Sequence, residues 1–389
     1  MSRRHRHLQR IGRSSGFAVH YRNLGVRQEI MDRWIQGYYR HHGDLLRQVM
    51  RGPEFNALMG IEAIARGDYR PDRTHSLAGA AAYDREKKKY MKDLGLARKD
   101  DAITEKMAQY IRILEQGGDL IRFLREQAIK IKLFCPQTNV ANWSPRQNGY
   151  AHYRIRPLVM LLYAVQTGNE LGIEINTDDI VLSAFRFFTP REQALIDEEF
   201  MMEYIREYME RKLRGEIDYQ REFESMMQRV ETDLREDLRS QDSHAFARKC
   251  RNAANEAYCA IIFVRFLGWV NAPKGARPGH WSATQQAYGD TPVVPEYNIL
   301  TLTEAGETAL NDALGIAPIW YKDIEAIFGQ RCFREIEIIN RLALTGEYRG
   351  ELSESQIQGL QALGIELISD DGAFRAIRPP VFDLQYDMP

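Results

Sequence analysis

The chain has 389 residues, 44% of them hydrophobic and 28% charged, with a formal net charge of -1 at pH 7. That length covers two or three domains of roughly 150 residues and buries a core without disulfides or metals. No run of eighteen apolar residues occurs, so no membrane-spanning helix is expected, and Met1-Ser2-Arg3-Arg4-His5-Arg6-His7 has no apolar run behind it, so neither is a secretory signal.

The arm up to about Arg13 is rich in Arg and His and reads as disordered until bound. From Val26 to Met50 the positions Ile30, Trp34, Tyr38, Leu45, Leu46 and Val49 fit one or two amphipathic helices, broken near Gly43-Asp44. Pro53 suits the first turn of the next helix. Residues 76–134 read as a small helical module. Ser76 caps a basic helix that runs to Met91, and Gly95 in Leu94-Gly95-Leu96 ends it. A short polar excursion follows, then a helix opened by Thr104-Glu105-Lys106-Met107, then an amphipathic helix from Asp119 to Phe134.

After a loop over Asn139–Gly149, Arg156-Pro157-Leu158 opens a strongly apolar helix. Thr177-Asp178-Asp179 is expected to cap a short helix from Ile180 to Phe185. Thr189-Pro190-Arg191-Glu192 has the form of a helix start, leading into a charged helical spacer that runs to about Arg239 with a break near Gly215. Ser243 caps a helix from His244 to about Leu267, closed by Gly268-Trp269-Val270. A Pro/Gly-rich loop, Pro273 to Gly289, leads to a strand over Tyr297–Leu302, and Thr303-Glu304-Ala305-Gly306 opens a helix through Leu314. The C-terminal part holds helices near Tyr321–Leu344 and Ser353–Leu363. A hairpin follows, Glu366-Leu367-Ile368 against Phe374-Arg375-Ala376-Ile377, turned by Asp370-Asp371-Gly372. The fold class is therefore mainly α and multi-domain, with winged-helix-like units joined by a long charged helical spacer. The segments are 1–75, a basic arm with helices; 76–150, a first winged-helix-like unit; 151–243, a helical linker and spacer; 244–315, a second such unit; and 316–389, an acidic helical or winged module.

Charge is spread unevenly over this plan. Residues 1–51 hold eleven arginines against Glu29, Asp32 and Asp44, and residues 85–154 hold fifteen Lys or Arg against eight acids. The opposite bias marks 190–239, with nine basic and fifteen acidic residues, and 316–389, with seven and twelve. Two separate positive blocks on a neutral whole point to a polyanionic partner. The plainer reading is a set of solvated helix faces, with the Arg/Asn-rich helix paired to the acidic spacer.

Within the helix expected after Ser243, Arg248, Arg251, Asn252 and Asn255 share one face, beside Lys249. Arg can bond guanine O6 and N7 with two donors, and Asn can pair with adenine N6 and N7. Arg85, Lys87, Lys88 and Lys89 on the earlier helix, with Arg3, Arg4 and Arg6 in the arm, suit phosphate or minor-groove contacts. For cleavage, Pro71-Asp72 with Glu86-Lys87-Lys88 matches the letters of a Mg-dependent nuclease motif, with Asp72 and Glu86 as metal-holding acids and Lys88 beside the attacking water. Such a site needs a strand pair, however, and Ala80-Ala81-Ala82-Tyr83 favours a helix. His41-His42 and His5/His7 have no carboxylate at ligand spacing, so no metal site is expected there. Neither GxxxxGK[ST] nor GxGxxG occurs. Cys135, Cys250, Cys259 and Cys332 form no CxxC pair and read as reduced core residues of a cytoplasmic protein.

The order Arg156-Pro157-Leu158-Val159-Met160-Leu161-Leu162, then Arg248-Lys249-Cys250-Arg251-Asn252-Ala253-Ala254-Asn255, Phe266-Leu267-Gly268-Trp269-Val270 and Leu300-Thr301-Leu302-Thr303-Glu304-Ala305-Gly306, resembles the DNA-recognition region of type IIS restriction and nicking endonucleases of the AlwI/BstNBI kind. The resemblance covers roughly residues 75–315. It implies winged-helix-like units that read a site in double-stranded DNA, with Arg85–Lys92 and Leu94-Gly95-Leu96 in the first unit. That family carries a nuclease domain of the PD-(D/E)xK type after this region, and residues 316–389 show no such motif. The expectation is a recognition module or subunit that uses no cofactor of its own, with Mg and the nuclease centre supplied by a partner subunit. Two alternatives remain open: a complete Mg-dependent nuclease centred on Asp72, Glu86 and Lys88, and a helical regulatory protein without DNA affinity.

Overall fold

The computed structural model describes residues 32, 35–37, 39, 91, 94–97, 103–132, 153–186, 195–226, 228, 257, 260–273, 298–316, 318–370 and 372–382. Within them the protein is mostly helical, with small sheets.

Helix α1 (Glu105–Gln116) starts where Thr104 turns its hydroxyl to the Met107 N–H at 3.4 Å, and it ends at Gly117, φ 65°. Helix α2 (Leu120–Ala128) is capped by Asp119, which accepts from the Arg122 N–H at 2.9 Å. Tyr110 of α1 meets Phe123 of α2 edge-on, with centroids 5.7 Å apart. The helix expected to reach Phe134 thus stops six residues earlier, and Lys132 beyond it is buried for a different purpose, described below.

Strand β1 (Tyr153–Arg154) leads into α3 (Pro157–Glu170), with Pro157 in the first turn as expected. Nearly every side chain of α3 up to Val165 is buried. A helix apolar all round must be central, and α3 packs most extensively against three other elements. These are α5 (Glu198–Leu213), β5 (Ile299–Leu302) and α6 (Glu304–Leu314). Between α3 and α5 lie β2 (Ile175–Asn176), α4 (Thr177–Leu182) and β3 (Ile196–Asp197). Past Gly215, residues 219–226 are helical, as are 260–266, which lead into β4 (Val270–Asn271).

Two expectations about starts are corrected here. The cap of α4 is Asn176 in place of Thr177: its side-chain oxygen accepts from the N–H groups of Asp178 and Asp179, and Asp179 returns a bond to the Asn176 N–H at 2.8 Å. The Thr177 hydroxyl is already used, accepting from the Asn298 N–H at 2.9 Å. The second concerns the spacer. Residues 196–197 are a strand parallel to β1, and α5 begins only at Glu198, with Asp197 as cap. Thr189-Pro190 lies outside the described residues; a helix running unbroken from there is ruled out because Ile196 is needed by β1.

Sheet β2-β5-β4 is antiparallel, with Ile175 opposite Leu300 and Val270 opposite Leu302. It joins strands from residues on both sides of position 243. The buried apolar residues from Ile35 to Ala313 form one core.

A second core spans Ile319 to Phe382. Its elements are α7 (Tyr321–Phe328), α8 (Phe333–Thr345), β6 (Glu347–Arg349), α9 (Glu354–Ala362), β7 (Leu367–Asp370) and β8 (Ala373–Ala376). The helix expected over 321–344 is two helices, parted at Gly329, φ 83°. The hairpin β7–β8 turns at Gly372, φ 75°, and β6, which the sequence reading missed, pairs with β8 to give the order β6-β8-β7. Cys332 is buried and free, and burial pushes its thiol pKa up. The other three cysteines lie outside the described residues.

The two cores are fastened side by side. The ammonium of buried Lys132 donates to the Ile319 carbonyl at 2.6 Å and sits 4.9 Å from the Trp320 ring centre. Arg154 pairs with Asp323, and Pro318 bridges to Val381 within the second unit.

Candidate functional site

The turn that follows each basic helix of the sequence is built twice in the same way. At the first, the Leu96 N–H reaches back to the Met91 carbonyl at 2.7 Å across Gly95, φ 69°. At the second, the Trp269 N–H reaches the Val264 carbonyl at 2.9 Å across Gly268, φ 71°. Both are six-to-one closures that end a helix on a left-handed residue, a position that favours Gly because it has no Cβ. Beyond each turn the chain leaves as extended backbone and comes back alongside itself, with Ala97 opposite Ile103 in one and Val270 opposite Leu302 in the other.

A threonine then locks each turn. The Thr104 hydroxyl donates to the Gly95 carbonyl at 2.7 Å, and its N–H donates to the Leu96 carbonyl at 3.1 Å. The Thr303 hydroxyl donates to the Gly268 carbonyl at 2.7 Å, and its N–H donates to the Trp269 carbonyl at 3.0 Å. Each threonine is also the N-cap of the following helix, α1 or α6. One residue therefore satisfies the end of one helix and the start of the next, which fixes the angle between them. In the second copy Gly306 lets α6 come down onto the turn: a Cβ there would lie 2.1 Å from the Trp269 carbonyl oxygen.

The side chains expected to touch nucleic acid, Arg3, Arg4, Arg6, Arg85, Lys87, Lys88, Lys89, Arg248, Lys249, Arg251, Asn252 and Asn255, lie outside the described residues, as do Asp72 and Glu86 of the nuclease pattern. What the structure places is the pair of junctions to which the two basic stretches lead. Among the described residues no three His, Cys, Asp or Glu side chains are grouped to hold a metal ion.

A polar cluster that the sequence reading missed lies on α4 and α5. The carboxylate of Asp179, fully buried, takes the hydroxyls of Tyr208 (3.0 Å) and Tyr219 (2.8 Å) on one oxygen. Its other oxygen takes the Asn176 N–H and the Lys212 ammonium. With both oxygens doubly bonded, Asp179 is a fastener and has no lone pair to spare for a reaction. Burial, then the facing Asp179 charge, holds the Tyr208 phenol well above its ordinary pKa of 10.0. Next to it, Glu222 accepts from Arg186 at 3.4 Å and Arg211 at 2.5 Å. Arg186 lies 5.5 Å from the Tyr204 ring centre. These groups line a cleft of about 490 Å³ with Glu216, Asp218 and Arg221. Three acids balance its three arginines, so the cleft is no anion trap. The capping pattern Asn176-Thr177-Asp178-Asp179 was the one sequence signal for this cluster, and the Thr177 reading hid it.

Arg156, 1% exposed, pairs with Glu198 through two nitrogens at 2.7 and 2.6 Å and through its backbone N–H at 3.0 Å. The second module has a different surface. Phe333, Leu344, Ile368 and Ile377 stand exposed. Arg334, Arg341 and Arg349 with Tyr348 line a cleft of about 660 Å³ there.

Compared with protein-family models, curated proteins and solved structures, the chain gives no match.

Proposed function

We propose that this chain binds double-stranded DNA in a sequence-specific manner. In this reading it is the recognition module or subunit of a type IIS-like restriction or nicking endonuclease whose Mg-dependent nuclease centre sits on a partner. The observation that carries the reading is the repeated junction at Gly95/Thr104 and Gly268/Thr303, because each copy ends a helix that the sequence makes basic. A helix held at a set angle to a β arm is the arrangement of a winged-helix-like unit: the helix enters the major groove and the arm lies beside it. Arg248, Arg251, Asn252 and Asn255 then read base edges, while Arg85, Lys87, Lys88 and Lys89 hold phosphates.

Charge placement supports the same view. Glu198, Glu216, Glu222 and Asp323 all find their cations at Arg154, Arg156, Arg186, Arg211 and Arg214. Among the described residues these acids are paired with arginines outside 85–92 and 248–255, the stretches proposed to face the duplex. The exposed Phe333, Leu344, Ile368 and Ile377 favour the second module as the seat of the partner subunit.

The test is direct binding of the purified chain to a pool of randomised duplexes, read by anisotropy between 50 and 200 mM salt. With six to ten phosphate contacts the affinity falls on the order of a thousandfold or more over that range. Absence of binding at the lowest salt would leave the alternative of a protein-interaction module. Cleavage of plasmid with Mg by the chain alone, abolished by Glu86→Ala, would replace the recognition-only reading with a complete nuclease.

A further inference from the structure

The two junction units share the apolar core that runs from Ile35 to Ala313, and one polar side chain adds a directional tie between them. The helix over 260–266 ends in the turn at Gly268, and the closures of that turn use the carbonyls of Val264 and Arg265. The carbonyl of Leu267, two residues further on, is taken by Arg125, whose Nε donates to it at 2.8 Å. Arg125 belongs to α2, the helix that follows α1 in the first unit. Its guanidinium also lies against the turn: a Cβ on Gly268 would come within 3.1 Å of Arg125 Nη2. A cation at a helix C-terminus meets the negative end of the helix dipole as well as an orphan carbonyl. The bond thus reaches from the first unit to the end of the very helix that the second unit presents.

We infer that Arg125 is a positioning residue that sets the phase between the two units, so that the protein reads two short blocks of base pairs at one fixed spacing. This rests on the duplex-binding reading above. Two rigid readers joined by a fixed tie cannot follow a lengthened site, because each inserted base pair rotates and shifts the second block along the helix. Removing the tie leaves non-directional apolar contact to hold the angle between the units, which tolerates more play, and leaves the base-reading side chains untouched.

The experiment uses the full chain. A duplex is first selected from a randomised pool with the wild type, and its affinity is compared with that for versions carrying one or two extra base pairs between the blocks. For the wild type we expect insertion to weaken binding by at least tenfold. For Arg125→Met, which keeps the aliphatic length and loses the donor, we expect that penalty to shrink below threefold, with binding to the uninterrupted site within threefold of wild type. Arg125→Lys, which keeps the charge at the helix end, should recover most of the penalty. Arg122→Met serves as control: its side chain is 79% exposed and, among the described residues, pairs along its own helix with Glu126, so the full penalty should remain. A tenfold penalty that survives in Arg125→Met overturns the inference, as does a selected site made of one unbroken block, and in both cases duplex binding itself stands. If Arg125→Met loses its helical circular dichroism, the comparison of Arg125→Lys with wild type carries the decision, and equal penalties with intact structure favour the inference only if Arg125→Gln lowers them. No binding of any duplex by the wild type overturns the functional reading and this inference together.

Discussion

Tyr208 shows how a buried acid is made safe. Asp179 has no exposed surface, and a carboxylate there would be costly without donors on both oxygens. The sequence provides them from α5, where Tyr208 and Lys212 are one turn apart, and from Tyr219 on the segment beyond Gly215. Replacing Tyr208 with Phe removes a bond to a charged group and should cost about 2 kcal/mol at neutral pH, measured by urea unfolding. The pH dependence follows from the raised phenol pKa. The unfolded chain releases this proton near 10.0, whereas the folded chain keeps it to higher pH. Above pH 10 the unfolded state therefore binds fewer protons than the native state, and stability falls as pH rises. Tyr204, raised mainly by burial, adds to the same fall. Tyr208→Phe should show a shallower loss between pH 9.5 and 11 than wild type; an identical slope would mean that Tyr208 is not protected in the fold.

Gly306 decides whether α6 can sit on its turn. A Cβ at that position would lie 2.1 Å from the Trp269 carbonyl oxygen, the atom that also accepts from the Thr303 N–H. Because the obstacle is backbone, no rotamer relieves it. Gly306→Ala should therefore cost about 3 kcal/mol and expose Trp269, seen as a red shift of its fluorescence. A variant as stable as wild type would show that α6 tolerates a larger standoff. Local chemistry made this junction readable beforehand. Leu267-Gly268-Trp269, a strand ending at Leu302, and Thr303 as cap were all stated from residue types, and Leu94-Gly95-Leu96 with Thr104 likewise. Pro157, Gly215 and the turn at Gly372 were legible for the same reason, since each imposes a backbone angle by itself. What escaped depended on partners distant in sequence. Ile196 is a strand residue only because Tyr153 lies beside it, and β6 exists only because β8 accepts it. Asn176 displaced Thr177 as cap because Asn298, more than a hundred residues away, claims the threonine hydroxyl. The DNA-facing side chains were proposed from charge and helical spacing, and they lie outside the described residues; the framework that would aim them is what the structure supplies.

Among the described residues the polar ties between the two cores include Lys132 to Ile319, Arg154 to Asp323 and Arg378 to the Gly315 carbonyl, and the first of these is the most deeply buried. The Lys132 ammonium is buried, donates to the carbonyl of Ile319, itself 1% exposed, and rests near the Trp320 ring. Arg154 with Asp323 adds a pair of which about a third remains in water, so its contribution is small, below about 1 kcal/mol. Cutting the Lys132 tie leaves a buried carbonyl without its donor, which costs about 2 kcal/mol at the contact between the cores and nothing within either one. The elements of each core then have less reason to melt together. In calorimetry Lys132→Met should turn one endotherm into two, the first belonging to residues 319–382, while Arg154→Ala leaves the wild-type profile nearly unchanged. The separation also bears on function. The partner proposed above, if seated on the exposed Phe333 and Leu344, would be carried by the second core, and Lys132 helps to keep that core in register with the units proposed to hold the duplex. In Lys132→Met, duplex affinity should stay within threefold of wild type, because the junctions at Gly95 and Gly268 belong to the first core. A single undivided transition in Lys132→Met would mean that apolar contact alone joins the cores; two transitions with duplex affinity lost as well would place part of the DNA-binding face on the second core.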